Sequence, residues 1–126
     1  PDVGLNPLPL QQPIPLWFGG HADPVLRRIA KIADGWLPNY HTAEDAANAL
    51  SKLETYLENE HRSMMDIGIE PRIKYGNGNP DEWCSIADGW QTANATHITV
   101  NPMGAGFTNP EAFIRAIEQF AQAVEV

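Results

Sequence analysis

The sequence is poor in the residues on which several classes of protein depend. Cys84 is the only cysteine, so a disulfide framework and a cysteine-based metal site are excluded. Only 8 basic residues stand against 16 acidic ones, and a net charge of −8 argues against nucleic acid and anionic membranes as partners. No apolar run reaches the ~18 residues of a membrane-spanning helix. One cysteine suits a reducing compartment, so we expect a cytoplasmic protein.

What the sequence does contain is enough for a single domain. Its 126 residues are 43% hydrophobic and 19% charged, which favours a packed core over disorder. The proline-rich segment 1–13 shows no periodicity and predicts an extended lead-in. It lacks the basic end and the apolar centre of a signal peptide. Because the chain begins with Pro1 rather than Met, we expect it to be part of a longer protein.

Four short apolar segments, each followed by a helical pattern, predict four strand–helix units. The predicted strands lie at 15–18, 36–38, 67–75 and 96–100. The predicted helices begin at Asp23-Pro24, Thr42, Asn79-Pro80 and Asn109-Pro110. Pro71 interrupts the third strand, because proline cannot donate to a strand ladder. This alternation predicts a parallel sheet covered by helices, and about 31 residues per unit matches one unit of an eight-stranded barrel of ~250 residues.

Helical spacing assigns several side chains to definite positions. Asp23 is the predicted N-cap of the first helix. Trp83 and Trp90 share the buried face of the third helix, and Cys84 on that helix is a predicted buried thiol. The buried stripe of the last helix is predicted to be Phe113, Ile117, Phe120 and Val124.

The turn between the first strand and the first helix is the strongest candidate for a binding site. Gly19 and Gly20 precede a helix N-terminus, where free N–H groups and the helix dipole attract anions and glycines let a phosphate approach. From the residues alone, an alternative stays open: the glycines serve a tight turn that requires a positive φ. His21 either adds a hydrogen bond to this site or is simply exposed on the loop.

Other polar positions give weaker signals. The glycine-containing loop 101–108 follows the fourth predicted strand, and in a parallel barrel it shares the rim of the Gly19-Gly20 turn. It either lines a ligand or is a plain connection. No metal site is predicted, because no two histidines have the spacing of metal ligands. The four histidines are His21, His41, His61 and His97.

A set of short motifs spans nearly the whole chain. They are PIPLWFGG at 13–20, LRR at 26–28, ADGWLP at 33–38, DEW at 81–83, ATHITVNPMGAG at 95–106 and PE at 110–111. Together they resemble the bacterial-luciferase-like monooxygenase family, and most closely its deazaflavin-dependent (coenzyme F-420) oxidoreductase branch. The resemblance implies that the chain, residues 1–126, is a single partial domain: the C-terminal (β/α)4 half of a TIM barrel, strands five to eight.

The resemblance also implies a cofactor and indicates which of its contacts belong to each half of the barrel. Gly19, Gly20 and His21 resemble the family's site for the phosphate end of the cofactor, which is F-420 or FMN in the complete barrel. Trp36 and Asn101 would face the same rim and line the pocket at most. The catalytic residues stay unknown, because the family places most ring contacts and proton-handling groups in the other half.

Half a barrel leaves open sheet edges, so we expect association with a second copy or with the missing N-terminal half. We expect the parent protein to be a flavin- or F-420-dependent oxidoreductase, transferring a hydride or activating oxygen on a small organic substrate. The chain alone is expected to be inactive. In the alternative, it is a non-catalytic truncated fragment or an assembly module that self-associates. An unrelated phosphate-binding barrel of the aldolase type has little support, because Lys74 is the only lysine in a predicted strand.

Overall fold

Strands and helices alternate along the described part of the chain, which is residue 7 and residues 9–124 of a computed structural model. The strands are β1 (Trp17–Gly19), β2 (Gly35–Leu37), β3 (Gly68–Ile69), β4 (Arg72–Lys74) and β5 (Thr99–Asn101). The helices are α1 (Asp23–Ile32), α2 (Ala43–Asn59), α3 (Pro80–Thr92) and α4 (Pro110–Val124), with a 3-10 turn at Met64–Asp66. The four predicted strand–helix units are confirmed, whereas much of the predicted lead-in at 1–13 lies outside the described residues.

Pro71 divides the third predicted strand into β3 and β4. β3 pairs with β2 in a parallel sheet of order β1-β2-β3, and β4 pairs in parallel with β5. Proline has no N–H to donate, so the ladder breaks at this residue. Side-chain alternation nevertheless continues through the break, since Ile69, Pro71 and Ile73 are all buried.

The core lies between the strands and the helices. Trp36 and Ile69 occupy neighbouring positions on β2 and β3, and both are fully buried. Leu26 and Leu53 from α1 and α2 belong to the same cluster. The prediction that Trp83 and Trp90 are core residues is confirmed, at 2% and 0% exposure.

The face of the strands opposite the helices, here called the open face, has a different composition. The indole of Trp17 lies across Gly35 and Gly68, and a methyl group at either glycine would overlap it. Trp17 and Gly35 are register partners, so their side-chain positions share this face. On β4, the exposed Arg72 and Lys74 alternate with the buried Ile73 and therefore belong to the open face as well. An aromatic ring covers one part of this face, and two cations occupy the other.

The start of α1 corrects one prediction about capping. Ala22 is the N-cap, the helix begins at Asp23, and Pro24 lies in its first turn. The Asp23 carboxylate does not cap the helix, because it accepts hydrogen bonds from Tyr56 at 2.8 Å and Arg27 at 3.1 Å instead. Two other helices show side-chain caps: Thr42 accepts from the Asp45 N–H at 3.2 Å, and Asn109 from the Ala112 N–H at 2.9 Å.

Two predictions of burial near α4 are also corrected. Phe120 is 5% exposed, as predicted, but Phe113 and Ile117 are 36% and 49% exposed. α4 packs on α3 through Ala116 and Phe120. On its outer flank Phe113 contacts only the Phe107 ring, at 5.3 Å between centroids, among the aromatic rings of the described residues, and Ile114 and Ile117 are exposed. Cys84 is half-buried rather than buried, with its thiol 3.2 Å from the Ala123 carbonyl oxygen.

Candidate anion-binding site

The turn that joins β1 to α1 depends on a glycine. Gly20 has a φ of +105°, a backbone conformation that residues with a Cβ atom rarely adopt. The turn therefore does require a positive φ at Gly20, as the alternative explanation of this glycine states. It is compatible with ligand binding, because the same turn presents backbone N–H groups. Among the described residues, the N–H groups of His21 and Ala22 have no acceptor.

Trp36 lies beneath the turn and is bonded to it. Its indole Nε1 donates to the Gly20 carbonyl oxygen at 2.7 Å. Tyr40 packs against the rings of His21 and Trp36. Its ring centroid lies 5.3 Å from that of His21 and 6.5 Å from that of Trp36. Trp36 was expected to line the pocket at most; instead its side chain is fully buried and supports the pocket from below.

An open cleft of about 550 Å³ lies next to the turn, at the carboxyl ends of β1, β2 and β3. This strand-end cleft is lined by Gly19, Gly20, His21, Asn39, Glu70 and Arg72, among others. The residues come from the β1–α1 turn, from the segment after β2, and from the junction of β3 and β4, where Glu70 follows β3 and Arg72 begins β4. In parallel barrels this end of the strands carries the binding and catalytic groups.

Arg72 supplies the cleft with a permanent positive charge. Its guanidinium is exposed and lies 3.4 Å from the Asn39 Oδ1 atom. Glu70 is the acidic group of the cleft, and its carboxylate accepts a hydrogen bond from the Thr99 hydroxyl. A guanidinium that lines the same cleft as free backbone N–H groups suits a phosphate or carboxylate ligand.

Asp23, the acidic residue in the first turn of α1, interacts with Tyr56 and Lys52 of α2. The hydrogen bond from Tyr56 lowers the pKa of the Asp23 carboxyl below its usual value, and Arg27 and Lys52 lower it further. Lys52 Nζ lies 3.6 Å from the carboxylate. The same hydrogen bond raises the pKa of the Tyr56 hydroxyl. The negative charge at this helix end thus has its own partners.

The loop after β5 does not contribute to the strand-end cleft. The Asn101 side chain accepts the Met103 N–H at 3.0 Å, so this residue shapes its own loop. Phe107 in the loop packs on Tyr75, with ring centroids 5.4 Å apart. The loop 101–108, which shares a rim with Gly19-Gly20 in a complete barrel, is therefore not brought into contact with that turn here.

The described residues contain no cluster of three His, Cys, Asp or Glu side chains that could hold a metal ion. Across residues 9–124, no helix has the length and apolar character needed to cross a membrane.

The sequence-based reasoning missed Glu70, Arg72 and Asn39. A signal for the first two was present, because Glu70, Arg72 and Lys74 alternate with Ile69 and Ile73. Such alternation directs the charged side chains away from the core. No local signal indicates Asn39, which reaches the cleft because it follows β2.

Comparison with solved structures identifies the architecture. The chain resembles the coenzyme F-420-dependent tetrahydromethanopterin reductase of Methanopyrus kandleri, with a TM-score of 0.69 and 16% sequence identity. The match covers 89% of this chain and 50% of the reductase chain, so this chain spans half the length of the protein that it matches. No protein-family model and no curated protein sequence matches the chain. At this identity the likeness shows the fold, which is half of a TIM barrel with parallel strands alternating with helices.

Proposed function

We propose that the chain is the C-terminal half, strands five to eight, of a luciferase-like oxidoreductase, and that its strand-end cleft binds the phosphate end of a flavin-type cofactor. The observation that carries this proposal is the combination of the Gly20 turn, the free His21 and Ala22 N–H groups and the Arg72 guanidinium in one cleft. We favour coenzyme F-420 over FMN, because the reductase of similar fold depends on F-420.

Each group of the cleft has a distinct part in this proposal. The glycines at 19 and 20 leave room for a phosphate to approach the backbone. The N–H groups of His21 and Ala22 donate to its oxygens, and Arg72 balances its charge with a pair of hydrogen bonds. The cofactor, when bound, supplies the hydride chemistry. This chain holds one end of it, and the organic substrate and the catalytic groups belong to the part of the barrel that it lacks.

The open edges of the half barrel support a proposal about partners. β1 and β5 are each paired on one side only, and unpaired strand edges favour association. Apolar residues are exposed in the first and last strand–helix units: Leu16 before β1 is 45% exposed, and Ile114 and Ile117 on α4 are 54% and 49% exposed. We propose that these edges are covered by the N-terminal half of the parent protein or, in the isolated chain, by a second copy.

Charge favours the second copy as a partner of the isolated chain. α1 carries three cations, Arg27, Arg28 and Lys31, against the single acid Asp23. α4 carries two acids, Glu111 and Glu118, against the single cation Arg115. If two copies close a barrel, α4 of one copy lies beside α1 of the other. Opposite charges on these two helices would favour this association of the copies. This arrangement also supports the alternative function, an assembly module without catalysis of its own. Two copies together have the length of a complete barrel, ~250 residues.

The binding proposal is tested by titrating the chain with inorganic phosphate and following the backbone amide resonances by NMR. We expect the amides of Gly20, His21 and Ala22 to shift in a saturable manner. Arg72→Ala should weaken binding by about tenfold, because a charge-assisted hydrogen bond and its charge are lost. Arg115→Ala on the exposed surface of α4 is the matched control and should leave the affinity unchanged. Phosphate-induced shifts confined to other residues, or equal affinities for both variants, would contradict the proposal.

A further inference from the structure

We propose that Trp36 is a positioning residue for this site: its buried indole N–H orients the Gly20–His21 peptide so that the His21 N–H faces the cleft. This inference rests on the proposed function and adds the mechanism by which a flexible turn is held ready for a phosphate oxygen. The contact that carries it is the 2.7 Å hydrogen bond from Trp36 Nε1 to the Gly20 carbonyl oxygen.

Peptide geometry links this bond to the cleft. The carbonyl of Gly20 and the N–H of His21 belong to one planar peptide unit, and in a trans peptide the two groups point in opposite directions. Trp36 binds the carbonyl from inside the protein, where its ring is 0% exposed. The His21 N–H therefore points away from Trp36, and it has no acceptor among the described residues. A ligand oxygen in the cleft is the partner that this orientation prepares for.

The glycine turn explains why such a support is needed. Gly20 adopts a φ of +105°, and glycine can reach many other conformations at little cost. A Gly-Gly turn is thus free to rotate the peptide that follows it, which would direct a carbonyl oxygen toward an anionic ligand. The hydrogen bond from Trp36 favours the one orientation in which the cleft presents a donor.

Trp36 itself has little freedom to move. It stands beside Phe18 on β1 and Ile69 on β3 in the parallel register. Tyr40 packs edge-on against its ring. A side chain held by strands on both sides and by a ring above it transmits the geometry of the sheet to the turn.

The chain offers a matched control for the loss of an indole N–H. Trp83 is 2% exposed, and its Nε1 donates to the Tyr75 carbonyl oxygen at 3.0 Å. It belongs to α3 and does not line the strand-end cleft. Trp36→Phe and Trp83→Phe therefore remove the same group from two buried sites, only one of which supports the turn.

The test compares both variants with the unmodified chain in the phosphate titration, together with hydrogen exchange and line widths of the His21 and Ala22 amides. We expect Trp36→Phe to weaken phosphate binding by about tenfold and to broaden the His21 resonance without ligand. Trp83→Phe should change neither. Equal phosphate affinities and equal His21 line widths in both variants would overturn the proposal.

Two further outcomes keep this inference separate from the proposed function. If the unmodified chain does not bind phosphate, the proposed function fails, and the His21 line width in the two variants still decides whether Trp36 orients the peptide. If Trp36→Phe does not fold, the residue is replaced by benzothienylalanine, which keeps the shape of the indole and has sulfur in place of the N–H. An unchanged His21 resonance in that protein would refute the role of Trp36.

Discussion

Arg62 joins three segments of the chain through its guanidinium. It donates to the carbonyl oxygens of Ala30 at 3.0 Å and Ala33 at 2.7 Å, and to that of Asp66 at 3.2 Å. The first two lie at the carboxyl end of α1, where carbonyl groups have no partner within the helix and a cation is favourable. Arg62 therefore caps the carboxyl end of α1, which ends at Ile32 shortly before β2 begins at Gly35.

Arg62→Ala should lower the free energy of unfolding by about 2 kcal/mol, because several carbonyl groups lose a charged donor. Urea denaturation followed by circular dichroism measures this change. Arg115→Ala removes the same charge from an exposed position of α4 and should have little effect. Equal stabilities for the two variants would show that the Arg62 bonds contribute nothing.

Among the elements, those marked by local signals were predictable from the sequence. The alternation of apolar runs and helix starts gave the four units, and Pro71 marked the break between β3 and β4 because its missing N–H acts locally. The pattern IADGW occurs twice and shows the limit of such signals. Its first copy, at 32–36, leaves α1 and enters β2, whereas its second copy, at 86–90, lies within α3.

Partners from distant elements account for the errors. Asp23 fits an N-cap by its position before Pro24, but Tyr56 on α2 offers its carboxylate a hydrogen bond that no local pattern announces. The stripe of α4 has the right spacing for burial, and Phe113 and Ile117 stay exposed because the described elements do not cover that flank. Periodicity indicates which side chains can be buried together, and the neighbouring elements decide which ones are.

Two glycines in different elements should respond to alanine in opposite ways. At Gly35 in β2, an added methyl group overlaps the Trp17 ring, so Gly35→Ala should destabilise the protein by about 1–3 kcal/mol. At Gly89 within α3 the space is open, and Gly89→Ala should stabilise it by up to ~1 kcal/mol through helix propensity. Thermal unfolding of both variants measures the difference. A destabilised Gly89→Ala together with an unchanged Gly35→Ala would contradict this account of the sheet and helix.

At the scale of the whole molecule, the sequence predicted the half barrel and one wall of the candidate site. Gly19, Gly20 and His21 are adjacent in the chain, so a local motif was enough to propose them. Arg72 reaches the same cleft from the start of β4, and Asn39 reaches it from the loop after β2. Their proximity depends on strand register, which the sequence alone did not specify. The hydrogen bond from Trp36 to Gly20 was unpredictable for the same reason, because it depends on the register that places β2 beside β1.

The open edges lead to a prediction about the state of the isolated chain. Light scattering on a sizing column should give a mass close to twice the 13.9 kDa of one chain. The double variant Ile114→Glu, Ile117→Glu should dissociate this dimer, because it places charges in the apolar flank of α4. Met65→Glu, at a residue that is 83% exposed on the 3-10 turn, is the control and should remain dimeric. A folded monomer for the unmodified chain would refute self-association.

The proposed function requires that the strand-end cleft holds the phosphate group of a flavin-type cofactor. Phosphorus NMR of coenzyme F-420 examines this contact, because the phosphorus resonance reports on the surroundings of the phosphate group alone. We expect the unmodified chain to broaden and shift this resonance. Arg72→Ala should abolish most of the effect, whereas Arg115→Ala should retain it. If the ring protons of the cofactor broaden and its phosphorus resonance stays unchanged, the cofactor binds elsewhere and the proposed function is wrong.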